Sequence, residues 1–330
     1  MGCYRLALAY LVLCSHVPLT VAGQGLGQVA VISFLLLSGY VMTALVDRYY
    51  PARADIGWFY LDRLARLYPQ YLLYLLATLA AVHGCGLYSG FITLPPSPAL
   101  VAAQFLVIPL DFGMYLPADY IALPQAWSLG LEACFYLVFP WVLLHRLRLP
   151  LAIASAGVFL LAHAGVINAD TFGYRLLPGT LFIFILGSWL RRCETRGEQR
   201  AFRLLAGGSF AGFLLAAGWP GLGLVHGYDT LLGLALGLPM VAWLARLRPP
   251  AWDAVAGNLS YGVFLNHYLL ILLLSAWVQR PLGWADAALV GLVGTGLSAL
   301  SFRLVEQPVL RLRRHLRGRK GRPAWGQQAA

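Results

Sequence analysis

Ten apolar stretches run through the chain, near residues 6–22, 29–46, 67–88, 125–147, 151–168, 173–190, 204–218, 229–246, 257–278 and 285–305. Most approach the roughly 20 residues that an α-helix needs to cross about 30 Å of hydrocarbon. Lipid supplies no hydrogen bonds to a bare backbone, so a chain built from such stretches folds as helices that satisfy their own amides. The expectation is an all-α, polytopic membrane helix bundle of about ten transmembrane helices. Composition agrees: 60% of residues are hydrophobic and 11% charged, against the roughly 45–50% apolar share of a soluble domain.

The basic residues test the count independently, because they gather in cytoplasmic loops. With the N-terminus inside, 22 of the 24 Lys and Arg fall on the cytoplasmic side, and only Arg175 and Arg280 fall outside. An even number of spans with both termini cytoplasmic follows. The stretch "AAGWPGLGLVHGYD" between the seventh and eighth spans reads as a tight turn or a re-entrant piece. The loop at about 89–124 holds a second apolar run, "LVAAQFLVIPL", too short to span, which either lies at the interface or folds back.

The net charge of +11 needs no nucleic-acid partner, since "RLRRHLRGRKGRP" suits an anionic inner leaflet and no folded basic domain accompanies it. Two regions are expected: a single transmembrane domain over 1–310 and a basic, disordered cytoplasmic tail over 311–330. The five cysteines form no disulfide or metal framework in the reading, and no metal site is expected. The Arg5-led first stretch is read as a retained helix rather than a cleaved signal.

Ionisable groups inside a span are costly and mark function by default. Arg5 and His16 are 11 residues apart, so they share nearly one helix face and stand about 16 Å apart along the axis. Arg5 falls at the cytoplasmic mouth and His16 near the midplane. Glu132, His267 and Ser38 also fall near middle depth, and these side chains from four helices could meet in one buried chamber. The structural alternative for each is a helix-to-helix hydrogen bond, and it weighs most on Ser38 and His267. In "FYLDRLARLYPQY", Arg63 and Arg66 are three apart and therefore neighbours on one face. Two forked guanidiniums at a cytoplasmic helix end suit phosphate, while the alternative for either alone is positive-inside anchoring.

On these residues the chain resembles the acyltransferase 3 family of integral-membrane acyltransferases. The first-span Arg and His match Arg5 and His16. The family's Arg-x-x-Arg followed by Pro and Tyr matches Arg63, Arg66, Pro69 and Tyr71. "LLLSGY", "WSLGLEACFYLVFP" and "LSYGVFLNH" are similar to three further family segments and bring in Ser38, Glu132, Tyr261 and His267. One departure stands out: Ala30, Val31 and Ile32 occupy a place where members commonly carry Gly-Val-Asp.

The resemblance implies an acyl-CoA-dependent O-acyltransferase of the bacterial inner membrane that moves an acyl group, acetyl first among the candidates, to a hydroxyl of a sugar, glycolipid or polysaccharide. His16 is the implied general base. Arg5, Arg63, Arg66 and Tyr71 are the implied donor-binding set, and Glu132 either orients His16 or binds the acceptor. Ser38, Tyr261 and His267 complete the expected chamber, and the partners are membrane lipids and a glycan acceptor. The rival reading is a transporter or flippase for a lipid-linked sugar, with His16 and Glu132 as a proton relay.

Overall fold

The computed structural model describes residues 1–17, 19, 26–87, 91–92, 98–115, 121–219 and 225–320, with only the backbone of 225, 226 and 314–320. Twelve α-helices account for most of the described residues, and no strand occurs among them. They are α1 (Gly2–His16), α2 (Leu26–Tyr49), α3 (Ile56–Cys85), α4 (Pro98–Leu106), α5 (Trp127–Leu144) and α6 (Arg148–His163). After them come α7 (Leu177–Arg191), α8 (Arg196–Gly218), α9 (Val225–Leu244), α10 (Ala251–Val278), α11 (Trp284–Ser301) and α12 (Gln307–Lys320).

Every apolar stretch read as a span carries a helix, and the chain is a multi-pass membrane bundle. Among the described residues, seven helical stretches are long and apolar enough to cross a membrane: Leu26–Tyr49, Pro124–Leu144, Thr171–Arg191, Arg196–Gly218, Gly227–Leu244, Ala251–Val278 and Trp284–Arg313. Helices α1 and α6, with 15 and 16 residues, stand outside that set, as does α3, which carries Asp62, Arg63 and Arg66 in its first half.

Helix α2 packs against α1, α5, α7 and α9. Its crossing with α7 is close because two glycines meet backbone: a Cβ on Gly39 would overlap the Phe184 carbonyl, and one on Gly187 the Leu36 carbonyl. Without hydrophobic drive between helices in lipid, such small-residue contacts supply the association. Phe184 also stacks on Phe135 of α5 with ring centroids 4.0 Å apart. Helix α1 lies along α10, and α10 along α11.

The "LVAAQFLVIPL" run folds back into the bundle. Helix α4 ends at Leu106, the next residue Val107 has a φ of 64° that reverses the chain, and the following turns pack on α5, where a Cβ at Gly130 would come within 2.9 Å of the Val107 carbonyl oxygen. Residues 307–320 of the expected disordered tail and its approach are helical, with Arg313 drawn onto Asp62 at 2.8 Å. An ion pair to a buried carboxylate anchors that helix to α3. The rest of the tail, 321–330, and the middle of the turn before α9 lie outside the described residues.

Candidate functional site: two chambers that share a wall

The expected chamber resolves into two. The first, a cavity of about 290 Å³, is lined by Arg5, Arg63, Arg66 and Arg313 together with Ser38 and Glu132. Apolar side chains of α2, α5 and α10 make up most of its other walls, with Tyr136, Tyr261, Ser128 and Ser260 among them. Arg63 donates to Asp62 at 2.5 Å and lies over the Tyr136 ring, 5.5 Å from its centroid. Arg66 pairs with Glu306 and lies over the Tyr261 ring at 5.1 Å. The Arg5 guanidinium has no hydrogen bond or ion pair among the described residues. Glu132 spends one carboxylate oxygen, Oε1, on two hydroxyls: Ser38 donates at 2.6 Å and Tyr136 at 2.5 Å. Its Oε2 has no such partner among the described residues.

The second cavity, about 260 Å³, is lined by His16, Gln28, Gln125, Trp127, Tyr174 and Asp229 among others. Val31, Ser128 and Phe264 line both cavities and form the wall between them. The Nδ1 atom of His16 lies 2.9 Å from the Val12 carbonyl oxygen. A carbonyl can only accept, so Nδ1 carries the hydrogen and Nε2 holds the lone pair. His267, fully buried on α10, lies beside it, with ring centroids 5.0 Å apart. Gln125 is fixed by donating to the Leu265 carbonyl at 3.0 Å.

The structure therefore brings Arg5, Arg63, Arg66, Ser38, Glu132 and Tyr261 together, and separately pairs His16 with His267. Among the described residues no hydrogen bond or ion pair joins His16 to Glu132 or Ser38; His16 is the last residue of α1, level with the start of α2, where a Cβ at Gly27 would meet Ser15, whereas Ser38 lies about 16 Å further along α2, so the two cavities are stacked along the helices. Tyr71 lines neither cavity. Its hydroxyl donates to the Gln104 carbonyl at 2.6 Å and ties the fold-back segment to α3. Ile32, at the departure from the family pattern, also faces neither cavity. It packs on α9, where a Cβ at Gly233 would meet its side chain at 2.7 Å.

Several lining residues are absent from the sequence reading. Tyr136 was legible as the residue one turn beyond Glu132. Asp229 is an acid at the start of an apolar stretch, a signal of the same kind as Glu132. Arg313 carries no local signal, because only the return of α12 to α3 brings it to the cavity.

The Acyltransferase domain family model, acyltransferase 3, matches residues 4–303. An uncharacterized protein of Aquifex aeolicus (strain VF5) is 30% identical over 211 residues, covering 59% of this chain and 91% of the relative. No solved structure matches the chain. The family match covers nearly the whole chain, which belongs to the acyltransferase 3 family.

Proposed function

We propose that this membrane acyltransferase moves an acyl group, acetyl first among the candidates, from acyl-CoA to a hydroxyl of a sugar or glycolipid acceptor at the bacterial inner membrane. The observation that carries the reading is the pair of cavities sharing one wall, guanidiniums on one side and an imidazole on the other.

A CoA thioester combines a phosphate-rich head with a slender, amide-bearing arm. The head suits the arginine chamber, where the Arg5 guanidinium has no partner among the described residues and forked guanidiniums match phosphate oxygens. Arg63 and Arg66 arrive already paired with Asp62 and Glu306, so they serve by sharing or exchanging those partners. The unengaged Oε2 of Glu132 is an acceptor for an amide N–H of the arm. The thioester then lies at the wall formed by Val31, Ser128 and Phe264.

From the other side an acceptor hydroxyl approaches His16. Its oxygen attacks the thioester carbonyl carbon while its proton passes to His16 Nε2. The C–S bond breaks, and the imidazolium returns the proton to the departing sulfur. No atom is left over, and no metal is required. Family membership favours this group transfer over a proton-coupled transporter.

Titration of the purified protein with acetyl-CoA tests the donor. Saturable binding, displaced by CoA and not by phosphate-free pantetheine at the same concentration, is expected. Absence of saturable binding, or equal competition by pantetheine, would remove acyl-CoA as the donor.

A further inference from the structure

We infer that His267 is a positioning residue whose bare Nε2 joins the Val12 carbonyl in accepting from His16 Nδ1–H, steadying the ring with its lone pair open on the histidine chamber and the imidazolium that forms during transfer. The inference rests on the reading of His16 as the base and assigns the group that prepares it.

His267 lies entirely out of solvent on α10, and its Nδ1 is 3.2 Å from the Val263 carbonyl oxygen. That carbonyl can only accept, so the hydrogen of His267 sits on Nδ1 and its Nε2 is a bare lone pair. The lone pair lies 3.4 Å from Nδ1 of His16. The hydrogen on His16 Nδ1 thus faces two acceptors, the Val12 oxygen at 2.9 Å and His267 Nε2. The opposite tautomer would set a His16 lone pair against both. Which ring nitrogen carries the proton is decided by what the other nitrogen meets, and here both neighbours force the same answer.

The usual orienting partner of a catalytic imidazole is a carboxylate. Among the described residues none pairs with His16, and the imidazole of His267 takes that position. A second imidazole leaves the pair uncharged at rest. When the acceptor's proton arrives at His16 Nε2, the Nδ1–H becomes a cationic donor, and charge-assisted bonds are shorter and stronger. The 3.4 Å contact has room to close at that moment and to relax when the proton leaves for the CoA sulfur.

A packing role alone would be met by any ring of similar shape, and this separates the two accounts. His267→Phe keeps the ring and deletes the acceptor, whereas His267→Gln restores an amide oxygen. With labelled acetyl-CoA and a native envelope extract, kcat is expected to fall about 100-fold in the Phe variant, with KM for acetyl-CoA unchanged and partial recovery in Gln. Nitrogen-15 and proton spectra of histidine-labelled protein in bilayers, with the His16 signals identified by their loss in His16→Ala, report the His16 Nδ1–H hydrogen bond directly. An Nδ1–H proton that moves upfield in His267→Phe and back in His267→Gln supports the assignment. A Phe variant with the wild-type Nδ1–H shift overturns it, whatever its activity. If the wild type transfers no label, the acyl-CoA reading fails on that arm while the spectra still decide the role of His267.

Discussion

Two arginine clusters inside this bundle differ in whether their hydrogen-bonding capacity is used up. Arg148, at the start of α6, is 1% exposed. It reaches Glu198 through Nε at 3.0 Å and Nη2 at 3.1 Å, Ser188 at 3.2 Å and the Arg192 carbonyl at 2.9 Å. Glu198 in turn accepts from the Glu194 backbone N–H at 2.6 Å. That network closes on itself and pins α6, α7 and α8 together. In the arginine chamber, among the described residues, the Arg5 guanidinium has no partner and Arg63 Nε is buried without one. A buried donor left open costs free energy unless something completes it. A membrane-embedded cation is therefore structural where its partners form a closed set, and a binding group where the set is incomplete beside a cavity.

Substitution on each side separates the two roles. The largest effect is expected from Arg148→Ala, which strands Glu198 as an unpaired buried carboxylate and should cost about 3–5 kcal/mol. Thermal unfolding in detergent should show it, while the fraction that remains folded binds acetyl-CoA normally. If stability is unchanged, Arg148 is not a pin and the contrast breaks. Arg5→Ala should do the opposite. It removes charge-assisted contacts worth about 1.5–3 kcal/mol, weakening CoA binding about 10- to 100-fold by calorimetry, with unfolding unaffected. A loss of stability without loss of affinity would move Arg5 into the structural class. The smallest effect falls to Ser38→Ala, which removes one of the two hydroxyls on Glu132 at a cost of about 1 kcal/mol. It should lower acetyl transfer by about fivefold at unchanged protein yield, and no change in rate would leave the Ser38 contact without a functional share.

Much of this was legible in the residues, for identifiable reasons. The helices follow from apolar stretches of membrane-crossing length, and Arg5 with His16 share one helix, so their relation is set by helical rise. Arg63 with Arg66, and Glu132 with Tyr136, are likewise neighbours along a single helix. What the apolar stretches blurred is depth. Ser38, Glu132, His16 and His267 all read as mid-membrane, yet α1 stops at His16, level with Gly27 at the start of α2, and Ser38 lies about 16 Å further along α2, which divides them between two cavities. Tyr71 reads as part of the Arg63 and Arg66 motif, but the fold-back segment reaches it first and takes its hydroxyl. Arg313 reads as tail charge, and its place beside Arg63 depends on Asp62, a carboxylate in contact with both.

The central claim is that chemistry on the histidine side acts on a donor held on the arginine side. Membranes carrying wild-type or His16→Ala protein, supplied with labelled acetyl-CoA and native envelope extract, test it when label entering glycans is measured beside acetyl-CoA binding. The account predicts transfer by the wild type, a loss of about 10²- to 10⁴-fold in the variant, as expected for a removed general base, and equal donor binding by both. Transfer by His16→Ala at the wild-type rate would contradict it.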